Sequence, residues 1–161
     1  MTVCLPLAVT VQWMIGGWFN YDWHYPPWDS NKNKIKTVVI DNGVTTIGNC
    51  AFLECYYLTS VNISNSVRVI GDFAFYFCYR LFASISIFSS IRIIGDWAFA
   101  YCHQLTSINL SDSVWRIGEG AFGGCGRLTS IDVDIMNPMY GSNDGILYNK
   151  EQTVLVKKKL L

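Results

Sequence analysis

One motif is written four times along this chain: VTTIGNCAFLEC from Val44, VRVIGDFAFYFC from Val67, IRIIGDWAFAYC from Ile91 and VWRIGEGAFGGC from Val114. Ile47, Ile70, Ile94 and Ile117 fall in steps of 23, 24 and 23 residues, and the glycine, alanine, phenylalanine and cysteine that follow keep the same register. A period of this length restricts the chain to stacked units, each burying its apolar face only against its neighbours.

After each cysteine the unit continues with an alternating segment: LTSVNI at Leu58, LTSINL at Leu105 and LTSIDV at Leu128. The odd copy, LFASISI at Leu81, has one extra residue between the leucine and Ile85, which accounts for the 24-residue step and reads as a local bulge. IKTVVI at Ile35 matches the alternating half alone, so the array is expected to begin there with a strand.

The combined line V-x-x-I-G-[DNE]-x-A-F-x-x-C-x-x-L-T-S-[VI]-x-[IVL] resembles the BspA-like leucine-rich repeat, a family of secreted and surface-attached repeat proteins. The match runs closely over Ile35 to Val133. YPPWDSNKNKIKTVVIDNGV resembles the family's entry into its first repeat and NPMYGSNDGILYNKEQTVLV its closing hairpin, while the first twenty or so residues depart from it. The expected fold is an α/β leucine-rich-repeat solenoid. Short parallel strands would line its concave face, short strands and helical turns its convex face, with a cap at each end. The expected division is an N-terminal cap over 1–34, repeats over 35–133 and a capping hairpin with a basic tail over 134–161. The resemblance implies a non-catalytic, monomeric module that binds an extracellular or cell-surface protein, as in adhesion.

Side-chain direction follows from strand alternation. In LTSINL, Ile108 and Leu110 face the core and Ser107 and Asn109 face away. Repeated over the rungs, the outward positions make a line of Val39, Asn62, Ser86, Asn109 and Asp132, flanked by Thr37, Ser60, Ser84, Ser107 and Ser130. This ladder of small hydroxyl and amide groups is the candidate binding surface; a plain solvated strand face is the competing reading. Gly48, Gly71, Gly95 and Gly118 read as sharp corners. The residues after them, Asn49, Asp72, Asp96 and Glu119, read as caps of a short helical turn rather than catalytic carboxylates, the first three being favoured N-cap types. Phe52, Phe75, Phe99 and Phe122 are expected to form a buried spine beside a column of Cys55, Cys78, Cys102 and Cys125.

That register decides the cysteine chemistry. A straight column of single thiols cannot converge on a tetrahedral metal, and no CxxC occurs, so buried free thiols are expected and no metal or cofactor. Cys4 and Cys50 lie off the column and stay undecided. Asp132, Asp134, Asn143 and Asp144 lack the spacing of a calcium loop. Twelve basic and twelve acidic residues leave no net field to attract nucleic acid. The two histidines, His24 and His103, sit in no catalytic motif, and His103 falls at a variable convex position.

At the start, Met1 to Gly17 is apolar, but no Lys or Arg precedes it and Pro6 and Gln12 break it, so it reads as neither signal peptide nor membrane span. LAVTVQW from Leu7 reads as a cap strand, in a cap shortened relative to the family's and with any export signal lost. Trp18, Trp23 and Trp28 would cover the first rung or, alternatively, form an aromatic sugar platform. A glycan-binding module using Trp97, Trp115, Tyr56 and Tyr57 and a structural spacer are the alternatives to protein binding. Lys157 to Lys159 reads as a solvated basic tail.

Overall fold

The structure, a computed structural model, describes residues 7–11, 26, 28–81, 83–87, 90–151 and 154–156. Cys4, Trp18, Trp23, His24 and the basic tail lie outside these residues. The alternating segments form the long rungs: β1 (Leu7–Val11), β2 (Ile35–Ile40), β4 (Ser60–Ile63), β6 (Ala83–Ile87), β8 (Leu105–Leu110) and β10 (Ser130–Val133). Between them lie two-residue strands, β3 (Thr46–Ile47), β5 (Val69–Ile70), β7 (Ile93–Ile94) and β9 (Arg116–Ile117), one per coil. All these pairings are parallel, and those from β2 to β10 have equivalent residues opposite one another, Val38 with Val61 and Ile85 with Ile108 among them. The chain is therefore a parallel β-solenoid, with β1 adding a rung ahead of the expected start at Ile35.

The core is built from the residues that recur. Val44, Val67, Ile91 and Val114, then Ile47, Ile70 and Ile94, and the four alanines, phenylalanines and cysteines are all buried. The phenylalanine rings stack from coil to coil, with centroids 5.2 Å apart for Phe52–Phe75, 5.1 Å for Phe75–Phe99 and 5.8 Å for Phe99–Phe122. Each column thiol after the first donates to the carbonyl of a spine residue one coil back, Cys78 to Phe52, Cys102 to Phe75 and Cys125 to Phe99, at 3.2 to 3.3 Å. The cysteines thus stitch coils as well as fill space.

The expected helical turns are replaced by a stack of hydrogen-bonded turns. The only helix among the described residues is the 3-10 segment Asp29–Lys34. In each of the first three turn segments, alternate N–H groups donate to the next coil, as Phe73, Phe75 and Phe77 do to the carbonyls of Asp96, Ala98 and Ala100, while Ala51, Leu53, Ala74, Tyr76 and Ala100 between them donate three positions back. A helix would need every N–H to reach back four residues along its own coil. What prevents it is a left-handed backbone at two positions per coil, Cys50, Phe73, Trp97 and Gly120, then Glu54, Phe77, Tyr101 and Gly124.

The acidic residues do not cap helices either. The Oδ1 of Asn49, Asp72 and Asp96 accepts the backbone N–H of its counterpart in the next coil, Asp72, Asp96 and Glu119, at 2.8 to 3.0 Å. This also corrects the reading of the glycines as corners. A Cβ at Gly95 would stand 2.5 Å from the Asp72 nitrogen and 2.6 Å from the Gly71 carbonyl carbon, and would collide with Asp72 Oδ1. Gly71 and Gly118 are crowded in the same way, so the glycine column is required by close approach of the neighbouring coil rather than by its own dihedral angles.

A register shift falls between Ala83 and Ser84 where β6 pairs with β8, and among the described residues the long rungs form two three-stranded sheets, β1-β2-β4 and β6-β8-β10. Beyond β10, β11 (Tyr140–Asn143), β12 (Ile146–Asn149) and β13 (Val154–Val156) form an antiparallel sheet, with the β12–β13 pair where a closing hairpin is expected.

Candidate functional site

The ladder residues fall into two groups because the rungs do. In the first sheet Ser60 stands opposite Thr37 and Asn62 opposite Val39, and Ser60 Oγ lies 3.2 Å from Thr37 Oγ1. In the second, Ser84, Ser107 and Ser130 are in register, as are Ser86, Asn109 and Asp132. Ser130 Oγ donates to Asp132 Oδ2 at 2.6 Å. Ser60, Asn62, Asn109 and Asp132 are exposed and Thr37, Val39, Ser107 and Ser130 half-buried, while the side chains of Ser84 and Ser86 lie outside the described residues. The expected single line is therefore two shorter lines, one on each sheet.

Both ends of the array carry polar contacts that the repeat pattern does not contain. Trp28 stacks on Phe52 at 5.4 Å and its Nε1 donates to the Ala51 carbonyl at 2.8 Å, extending the spine by one ring. Lys32 pairs with Asp29 at 3.3 Å and Glu54 at 3.2 Å. At the other end Asn137 is buried with its amide fully used: Nδ2 donates to the carbonyls of Ser111 and Val114, and Oδ1 accepts the N–H groups of Met139 and Tyr140. The hydroxyl of Tyr140 accepts the Ile117 N–H at 2.8 Å, occupying a donor on the last short strand.

The described thiols are free and chemically quiet. Burial pushes Cys55 and Cys125 up to about 12 and holds Cys78 and Cys102 well above the ordinary thiol value, so all four stay protonated at neutral pH. A protonated thiol is a poor nucleophile and metal ligand. Among the described residues no three or more histidine, cysteine, aspartate or glutamate side chains are grouped to hold a metal ion. Asp132 accepts from Ser130, and Asp134 accepts the Met136 N–H. His103 is exposed, its Nδ1 lying 3.0 Å from the Gly124 carbonyl oxygen and its ring stacked on Tyr79 at 5.1 Å. Among the described residues no helix is long and apolar enough to cross a membrane.

The turn face gathers a cluster of aromatic rings. Phe73 meets Tyr76, Tyr76 meets Phe77 and Tyr101, and Phe77 meets Tyr79 and Tyr101, with centroids 4.2 to 5.5 Å apart. The four aromatics of the glycan-binding alternative have separate surroundings. Tyr56 stacks on Tyr79, Arg80 lies over Tyr57 and Trp115 stands half in solvent. Among the described residues no ring contact joins those four to one another. The signal was present in the columns: around the inward alanine and phenylalanine the second coil carries Phe73, Tyr76 and Phe77, and the third Trp97 and Tyr101.

The same architecture recurs among known proteins. The sequence profile described as a BspA type leucine-rich repeat region matches residues 30–143 in six copies. A solved leucine-rich repeat protein from Bacteroides ovatus is 29% identical, with a TM-score of 0.61 over 78% of this chain and 39% of that one. The T. pallidum leucine-rich repeat protein is 33% identical over 62% of this chain and 46% of that one, with a TM-score of 0.60. A leucine-rich cell surface protein from Faecalibacterium prausnitzii is 25% identical, with a TM-score of 0.55 over 78% of this chain and 40% of its own. The chain thus spans less than half the length of each. A comparison with curated protein sequences finds no match. With the profile covering most of the described array, the chain belongs to the BspA-type leucine-rich-repeat family.

Proposed function

We propose that the chain is a non-catalytic, monomeric module for binding other proteins, carried on an extracellular or cell-surface protein, with the long-strand face as its contact surface. The observation that carries this reading is the register of small polar side chains on that face, Ser60 and Asn62 in one sheet and Asn109 and Asp132 in the other. Short side chains let a partner approach the sheet closely, and their hydroxyl, amide and carboxylate groups supply donors and acceptors at each rung. The cell-surface relative supports the location. In the same reading residues 1–34 and 134–161 are the caps: Trp28 covers one end of the spine, and Asn137 with Tyr140 occupies polar groups of the last coil.

Substituting Asn62, Asn109 and Asp132 together by Arg tests it. After circular dichroism confirms the fold, binding is measured to partners recovered from a panel of extracellular proteins. A loss of tenfold or more is expected, equivalent to about 1.4 kcal/mol. Undiminished binding, with loss from a Tyr56→Ala, Tyr79→Ala, Trp115→Ala triple variant instead, would move the contact surface to the turn face. A chain that binds none of the panel would leave the spacer reading in its place.

A further inference from the structure

The short-strand face carries a charge pattern that the core does not require. Val67 and Ile70 are buried, as are Ile91 and Ile94, and the two residues between each inward pair lie on the outside: Arg68 and Val69 in the second coil, Arg92 and Ile93 in the third. In the fourth coil the same two places hold Trp115 and Arg116. Pairing of β5, β7 and β9 stacks these positions, with Val69 opposite Ile93 and Ile93 opposite Arg116. Arg68, Arg92 and Arg116 therefore stand on successive rungs, about 4.8 Å per step, and all three are exposed. Like charges gathered on one face of a sheet repel one another.

No carboxylate offsets them. Thr45 and Thr46 hold the outward places of the first coil, so in none of the four coils is an outward place acidic. Among the described residues both ion pairs belong to Lys32, and none of the three arginines forms one. The acidic residues flanking the face are engaged locally: Asp72 and Asp96 accept main-chain N–H groups of the next coil, and Asp112 accepts the Ser113 hydroxyl. Arg68 is braced by one nitrogen only, its Nη1 donating to the carbonyls of Asn65 and Val67, so the rest of its guanidinium faces outward unused. Beside the arginines Trp115 is 50% exposed, and Val69 and Ile93 are half-buried. The face thus combines three unpaired guanidinium groups with an apolar floor.

That combination selects its occupant. A guanidinium is a planar fork that binds a carboxylate through two parallel hydrogen bonds. Two rungs, roughly 10 Å, separate Arg68 from Arg116, the reach of about three extended peptide residues. A strand with acidic residues spaced by apolar ones meets the arginines and lays its apolar side chains on Val69, Ile93 and Trp115. A surface of sulfate or phosphate groups would satisfy the arginines and leave that floor uncovered. We propose that the short-strand face of the second to fourth coils is a docking site for an extended segment of a partner protein, acidic with apolar residues interspersed, separate from the long-strand face.

Fluorescence anisotropy tests this with a short fluorescein-labelled peptide of aspartate and glutamate interspersed with isoleucine and phenylalanine. The same peptide with asparagine and glutamine in place of the acids serves for comparison. Wild type is expected to bind the acidic peptide about tenfold or more tighter than the amide one. That preference should shrink in about 1 M salt, where the screening length falls to about 3 Å. An Arg68→Gln, Arg92→Gln, Arg116→Gln variant should bind the acidic peptide about tenfold or more weakly, with a melting temperature within about 4 °C of wild type. Arg92→Lys, which keeps the charge and loses the fork, should weaken binding by about threefold, and Trp115→Ala should weaken binding of both peptides. A Lys36→Gln, Arg80→Gln, Arg127→Gln variant removes the same charge from other parts of the surface and should bind as wild type does. No binding of the acidic peptide by wild type, undiminished binding by the first variant, or equal loss from the last overturns the proposal. A collapse in melting temperature of the first variant also overturns it, because the arginines would then be holding the fold. So does tighter, arginine-dependent binding of a heparin oligosaccharide or of phosphatidylserine vesicles, which would assign the face to a sulfated glycan or a lipid surface.

Discussion

Replacing Phe75 by Ala is the most direct test of the solenoid's internal logic. The ring is fully buried and lies nearly parallel between Phe52 and Phe99, tilted by 13° and 8° at 5.2 and 5.1 Å. Removing it loses roughly 150 to 200 Å² of buried apolar surface, worth about 4 to 5 kcal/mol at ~25 cal/mol per Å². Phe→Ala substitutions in packed cores cost about 3 to 5 kcal/mol, so a loss near 4 kcal/mol is expected. That is a large share of the ~5 to 15 kcal/mol that holds a domain together. Phe122, with one stacked neighbour at 5.8 Å, should fall at the low end, near about 3 kcal/mol. Tyr79, with 37% of its surface already exposed, should cost under about 1.5 kcal/mol. The assay is urea unfolding followed by both far-ultraviolet circular dichroism and tryptophan fluorescence, whose coincidence checks that the array unfolds as one unit. With a slope of about 2 kcal/mol per molar urea, Phe75→Ala should lower the midpoint by roughly 2 M. Equal midpoint shifts for Phe75→Ala and Tyr79→Ala would refute the inward assignment of the spine.

Thiol titration of the native protein should label Cys50, which is half-buried, before Cys55, Cys78, Cys102 or Cys125, and all four should become reactive on unfolding; rapid native labelling of Cys78 or Cys102 would contradict the packing. The same burial makes stability depend on pH. Below the ordinary thiol value of 9.0 the folded and unfolded chains both keep these protons and the contribution is complete, while between 9.0 and about 12 the unfolded chain releases protons that the folded one retains, so stability falls as pH rises. A urea midpoint unchanged between about pH 8 and about pH 10.5 would oppose this, and a Cys78→Ala, Cys102→Ala variant should flatten the fall. Gly95→Ala should cost about 3 kcal/mol or more because its Cβ meets backbone that cannot move aside, whereas Gly126→Ala, with nothing within 4 Å, should be close to neutral; similar melting temperatures for the two would remove the close-approach argument.

The repeat period carried most of the fold. Ile47, Ile70, Ile94 and Ile117 fixed the stacking, strand alternation fixed which residues of LTSINL faced inward, and the columns of phenylalanine and cysteine followed from register alone. A residue's direction within a strand depends on its local backbone, so it can be read along the chain. The ladder positions were legible for the same reason, and Thr37 with Ser60 and Asn109 with Asp132 are indeed opposite one another.

What the sequence left undetermined depended on distances between coils. Asp72 looked like a helix cap because the local sequence cannot show that the nearest N–H awaiting its Oδ1 belongs to Asp96, one coil away. Gly95 looked like a corner because its crowding comes from Asp72, again a neighbour only in the stack. Phe73 and Trp97 gave no hint of left-handed backbone, since that conformation is uncommon for aromatics and is imposed here by turn segments that bond sideways to the next coil. The extra residue after Leu81 was visible as a one-residue insertion, but the division of the long rungs into two sheets, and so of the polar ladder into two lines, was not, because it depends on how strands pair across the stack. The one-dimensional pattern determined which residues each coil contributes to the core. Contact between successive coils decided the turn hydrogen bonds, the glycine column and the aromatic surface, because those groups find their partners across the stack rather than along the chain.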